Sequence, residues 1–234
     1  MPEVQPGDDL AALIAHACPP DLAEGDILVV ASKVVSKAEG RVVRLGDVVP
    51  GEEAQRLATQ GKDARLVQLV LDQAAEVLRA ERAVLIVETH HGFVCANAGI
   101  DLSNLPGDDT ALLLPEDPDG SARRLRERIP QRPAVLITDS FGRAWRLGQV
   151  DVAIGAAGLM LVDDWRGRSD SHGRELRATV AAVGDALAAM ADLARSKDAS
   201  EPVVLVRGLE RFVTGDDGPG AAVLRRPRAD DLFR

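Results

Sequence analysis

PAVLITDSFGRAWRLGQVDVAIGAAGLMLV (133–162) is the stretch that decides the fold. Its opening, PAVLITDS (133–140), is an apolar run of strand length that ends in polar groups. VDVAIGAAGLMLV (150–162) is apolar and β-like again, interrupted by Gly155 and Gly158. Upstream, DGSARRLRERI (119–129) has helical spacing, with Asp119 or Ser121 near its N-cap. Downstream, RELRATVAAVGDALAAMADLARS (174–196) reads as one long amphipathic helix, followed by a core strand, PVVLVRGL (202–209).

The rest of the chain repeats this alternation. DDLAALIAHA (8–17), EEAQRLATQG (52–61) and DARLVQLVLDQAAEVLRA (63–80) read as helices. DILVVAS (26–32), AVLIVET (83–89), FVCANAG (93–99) and TALLLP (110–115) read as strands, and His90-His91-Gly92 as a hairpin-like turn. Strands alternating with helices predict a mixed α/β class. There is no repeat and no low-complexity linker, so residues 1–215 are expected to form one unit without a clean internal boundary. Residues 216–234, rich in Gly, Pro and Arg, are expected to be a flexible tail.

Composition narrows the function. The chain has 234 residues and a net charge of -9, which argues against a nucleic-acid partner. Aromatic residues make up 3% and tyrosine is absent, so base stacking is not the main activity. Pro2, Glu3, Asp8 and Asp9 stand where a signal peptide would carry a basic and then an apolar region, and no apolar run reaches membrane length; a cytoplasmic location is expected. Cys18 and Cys95 are too few for a disulfide framework.

Three stretches carry chemistry. In VVASKVVSKAEG (29–40) a buried strand runs into Ser32-Lys33, with Lys37 four residues on. If a helix starts there, both ammoniums share a face beside free backbone N–H groups, a place for phosphate; a solvated lysine pair is the alternative. It is not a Walker A loop, since no G-x-x-x-x-G-K-[ST] occurs. In ANAGIDLSN (96–104), Asn97, Asp101, Ser103 and Asn104 suit a hard cation such as Mg²⁺ or Mn²⁺, or else an Asx-turn. In LITDSFGRAWRLGQVD (136–151), Asp139 and Ser140 end an apolar strand, where α/β ligand crevices form, and Arg143 and Arg146 follow for anionic oxygens. The loop DDWRGRSDSHG (163–173) suits either a ligand cover or a solvated connection.

ITDSFGRAWRLGQVDVAIGAAGL (137–159) resembles the coenzyme F420-0:L-glutamate ligase family. GDILVVASKVVSKAEGRVV (25–43) and ETHHGFVCANAGIDLSN (88–104) resemble its other two signatures, and PEVQPGDDLAALI (2–14) and PVVLVRGLE (202–210) fit as well. The resemblance implies a two-lobed α/β fold, an intertwined homodimer, GTP as co-substrate, Mg²⁺ or Mn²⁺ with K⁺ as a further cation, and glutamate addition to F420-0. Position by position it implies that Pro2, Glu3, Val4, Ser32, Lys33, Lys37, Asn104 and the segment Lys197, Asp198, Ala199, Ser200 and Glu201 contact GTP. It implies that Asp101, Asp139 and Ser140 hold metal, with Asp101, Asp139 and Lys33 central to catalysis. Chemistry alone suggests Arg143 and Arg146 for the phosphodiester of F420-0 or for glutamate.

The chain departs from the family pattern at Arg195-Ser196-Lys197, at Ala186 and at Val150. Some relatives use a glutamine at the Lys197 position as a metal ligand, which a protonated lysine cannot replace. The rival expectations are a ligase of the same fold for another carboxylate acceptor and a non-catalytic GTP-binding relative.

Overall fold

The computed structural model describes residues 1–58, 61–81, 84–103, 109–195 and 201–233. In chain order the elements are α1 (Leu10–Ala17), β1 (Ile27–Ala31), α2 (Ser32–Ala38), β2 (Val42–Arg44), α3 (Glu52–Leu57), α4 (Ala64–Gln73), β3 (Ala74–Glu81), β4 (Val84–Thr89), β5 (Val94–Ala96) and β6 (Thr110–Leu112). They continue with α5 (Pro118–Arg128), β7 (Ala134–Arg143), β8 (Arg146–Ala157), β9 (Val162–Asp164), β10 (Val180–Ala182), α6 (Val183–Ala194) and β11 (Val203–Val206). The class is mixed α/β.

The central sheet has the order β11-β1-β7-β8. β1 and β7 run parallel, with Ile27 opposite Ala134 and Ala31 opposite Thr138, while β11 and β8 flank them antiparallel. Because side chains alternate across a strand, Leu28, Val30, Val135 and Ile137 face one core and Ile27, Val29, Ala134 and Leu136 the other. The first core is closed by α1, α2 and α5, the second by α6, so the sheet is the middle layer of three. Burial on both faces is why these strands are continuous apolar runs. A third core packs α3 and α4 against β4 through Ala54, Val67, Val70, Leu85 and Val87. There β3, β4 and β5 form an antiparallel meander.

Four sequence expectations change. The helix expected over 63–80 stops at Gln73, and Ala74–Glu81 pairs with β4. Ala, Leu, Glu and Arg are good helix formers, but the neighbouring strand satisfies this backbone instead. The helix expected over 174–196 is helical only at Val183–Ala194 among the described residues; Val180–Ala182 pairs with β9. The cap of α5 is Asp117, whose carboxylate accepts from Gly120 N at 2.9 Å. Asp119 has a different task, accepting from Ala156 N at 2.9 Å and Ala221 N at 2.8 Å. It thereby fastens the stretch after Gly215, where Ala221 is 1% exposed and Asp217 meets the buried Arg126 at 2.7 Å. That is more order than a composition of Gly, Pro and Arg suggests.

Candidate active site

Parallel pairing brings the carboxyl ends of β1 and β7 to one edge of the sheet, where α/β proteins place their ligands. A cleft of about 1370 Å³ opens there. Its walls include Pro2, Glu3 and Val4, Ser32, Lys33 and Lys37 after β1, Asp101 and Ser103 after β5, Asp139 and Ser140 on β7, Asp151 on β8, Asp192 and Arg195 around the end of α6, and Glu201. Lys33 and Lys37, four apart on α2, both reach it. Asn104 and the segment 197–200 lie outside the described residues.

Asp101 is placed by a strained turn. Asn97, Ala98 and Gly99 have φ of 50°, 55° and 68°, and a Cβ on Gly99 would sit 2.9 Å from Leu114. Lys62 Nζ donates to Asn97 Oδ1 at 2.8 Å, and Leu85 N donates to the same oxygen at 3.2 Å. These bonds offset the cost of the left-handed backbone. Asp101 then exchanges backbone hydrogen bonds with Leu112 at 2.9 and 3.0 Å, and its Oδ1 accepts from Ser103 N at 2.7 Å, which holds the carboxylate.

The charges are interlocked. Lys33 Nζ lies 2.6 Å from Asp101 Oδ2 and donates to Ser103 Oγ at 3.0 Å. Burial pushes the Asp101 carboxyl up, but the Lys33 ammonium and the Ser103 N–H outweigh it and hold it below the usual range. Lys37 pairs with Glu3. Ser32 Oγ donates to Asp139 Oδ1 at 2.6 Å. Burial pushes Asp139 up to about 7; the charges of Asp151 and Asp101 add to this, and the Ser32 bond opposes it.

That shift gives the first expected result. In EDTA, Asp139 stabilises the folded chain at low pH, where it is protonated. The contribution is lost as pH rises from about 4 through about 7, by at most about 4 kcal/mol. Unfolding measured at pH 5 and pH 8 should show Asp139→Asn gaining stability relative to wild type at the higher pH. A difference between the two proteins that does not change with pH would refute the assignment.

Arg143 and Arg146 do not line the cleft. They sit exposed at the end of the β7–β8 hairpin, beside Trp145, which has a φ of 59° and is 80% exposed. Ser140 faces the cleft with its hydroxyl donated to Asp151 Oδ1 at 2.6 Å. Sequence reasoning gave no role to Asp151, Arg195 or Lys62. The signal for Asp151 was an acid at the head of an apolar strand; Lys62 had none, because its partner is 35 residues away.

A cleft at the carboxyl edge of a three-layer sheet, with paired acids and lysines on its walls, is the layout of an α/β enzyme. The F420-0:gamma-glutamyl ligase family model matches residues 1–208. The chain is 44% identical to the coenzyme F420:L-glutamate ligase of Methanopyrus kandleri, over 99% of this chain and 94% of that one. It is 45% identical to the protein of that name from Methanothermobacter thermautotrophicus (100% and 96%) and 46% to that from Archaeoglobus fulgidus (89% and 85%). The chain belongs to the F420-0:gamma-glutamyl ligase family and is an enzyme of the ligase class. Among the described residues no helix is long and apolar enough to cross a membrane.

Proposed function

We propose that the chain joins L-glutamate to coenzyme F420-0 in an amide bond, driven by GTP, as a cytoplasmic, two-lobed, intertwined homodimer. Family membership supports the acceptor and the amino acid. One observation supports the co-substrate chemistry: the cleft is acidic although its proposed ligands are polyanions. Its described lining residues include six acids, Glu3, Asp101, Asp139, Asp151, Asp192 and Glu201, against three basic side chains, Lys33, Lys37 and Arg195. Phosphates would be repelled unless cations joined them.

The residues fit such cations. Asp101, Asp139 and the Ser140 hydroxyl are hard oxygen donors suited to Mg²⁺ or Mn²⁺, with K⁺ a further candidate. Asp139 is pushed up to about 7 first by burial and then by the charges of Asp151 and Asp101, so a cation bound beside it would favour its ionised form. Among the described residues no three His, Cys, Asp or Glu side chains converge to hold a metal, so water and phosphate oxygens would complete the shell, as is usual for Mg²⁺. Bound there, a divalent ion would neutralise the oxygens of the transferring phosphoryl group.

The chain's own groups do the rest. Lys33 and Lys37 reach the triphosphate; Lys33, here tied to Asp101, turns to the phosphates once that carboxylate is otherwise neutralised. The lactyl carboxylate of F420-0 attacks the γ-phosphorus, releasing GDP and forming an acyl phosphate. The amino group of L-glutamate then attacks the acyl carbon, phosphate leaves, and the amine loses a proton. Further rounds would extend the γ-linked chain.

The test is phosphate release by the purified chain with GTP, Mn²⁺, L-glutamate and F420-0, with mass spectrometry of the cofactor. A glutamate-sized gain supports the proposal. Tight GTP binding with no gain favours a non-catalytic relative. Turnover only with another carboxylate favours the other-acceptor ligase. Lys33→Met should lower kcat/KM for GTP about 100-fold; a loss under about threefold would remove Lys33 from phosphoryl transfer.

A further inference from the structure

Beside Asp139, in the cleft wall, lies an ionic network in which Asp151 and Arg195 have no individual role above. Asp151 is 5% exposed, and both its oxygens are engaged. Oδ2 accepts from Thr138 Oγ1 at 2.8 Å and from Arg195 Nη1 at 2.8 Å; Oδ1 accepts from Ser140 Oγ at 2.6 Å. Arg195, at the end of α6, also donates from Nη1 to Thr138 Oγ1 at 3.0 Å and from Nη2 to Val29 O on β1 at 2.7 Å. One carboxylate and one guanidinium therefore tie α6, β1, β7 and β8 together at the cleft wall.

The direction of these bonds matters. A hydroxyl that gives its proton to Asp151 offers lone pairs, not a proton, to a cation. Arg195 in turn pairs with Asp151 at 2.8 Å and so offsets part of the charge that Asp151 sets beside Asp139. The geometry points to Asp151 and Arg195 as positioning residues that set the divalent-cation affinity of the cleft, Asp151 by orienting the Ser140 hydroxyl and Arg195 by holding Asp151. This rests on the cation reading proposed above. Partners of this kind behind a metal ligand are worth about 10- to 100-fold in metal affinity.

The probe is Mn²⁺ alone, titrated by calorimetry and by the loss of its free-ion EPR signal. Asp151→Asn puts an amide N–H where an acceptor stood, so a hydroxyl must turn. It should weaken Mn²⁺ at least about tenfold. Ser140→Ala should weaken it too, and Asp151→Asn on top of Ser140→Ala should add less than threefold, because Asp151 acts through Ser140. If Asp151→Asn does not fold, the double replacement Asp151→Asn with Arg195→Met, which leaves neither charge unpaired, takes its place. Unchanged Mn²⁺ affinity in the folded variants, or losses that simply multiply, overturn the assignment. Absence of Mn²⁺ binding by the wild type overturns both this assignment and the cation reading; binding by wild type with equal binding by Asp151→Asn overturns this one alone.

Discussion

Asp139→Asn is expected to lower the proposed GTP-dependent glutamate addition by about 10³-fold, roughly 4 kcal/mol of transition-state stabilisation, without loss of the fold. The substitution keeps the shape and lets the amide take over the Ser32 contact, which now joins Ser32 Oγ to Asp139 Oδ1 at 2.6 Å. What it removes is the negative charge at the shared end of β1 and β7. In an acidic cleft whose proposed ligands are anionic, that charge has a use only if a cation stands between. The decisive comparison is turnover against Mn²⁺ binding in the same variant. Turnover within tenfold of wild type would remove Asp139 from the proposed phosphoryl transfer.

The second large effect is on stability. Gly155→Ala should destabilise the chain by about 3 kcal/mol or more and lower its melting temperature by about 10 °C. Gly155 lies on β8 opposite Ile137, and a Cβ there would meet the backbone C and O of Pro118 at 2.4 Å. Those are main-chain atoms at the first turn of α5, anchored by the Asp117 cap, so no side chain can swing away. Gly215→Ala, which has nothing within 4 Å and no positive φ, is the control and should be neutral. A Gly155→Ala melting curve that overlays the control would show that α5 and β8 can separate at little cost.

Much of this was legible in one dimension. DILVVAS (26–32) and PAVLITDS (133–140) read as strands because both faces are buried, and each carries cleft-lining residues at its polar end. Ser32, Asp139 and Ser140 were visible for that reason, and Asp101 for its polar loop. Ala74–Glu81 was misread because strand pairing, a non-local effect, overrode local composition. The start of α6 was misplaced for the same reason, as Val180–Ala182 pairs with a strand eighteen residues upstream in register. Asp151 and Arg195 went unassigned because their meaning depends on each other across 44 positions. Arg143 and Arg146 were read from their chemistry as grips for an anionic substrate; they stand on the β7–β8 hairpin and are not among the described cleft walls.

The order of strands in the central sheet also bears on how the chain comes off the ribosome. β1 is among the first elements made, yet one of its two edges is covered by β11, with Ile27 opposite Val206 and Val30 opposite Val203. Until that late strand emerges, the edge of β1 presents unpaired backbone flanked by Ile27, Leu28, Val29 and Val30. Such an edge recruits strands from other nascent chains. A chain halted before β11 would carry nearly all of its cleft residues and still be prone to aggregate, so premature termination late in the gene costs the product its solubility before its chemistry.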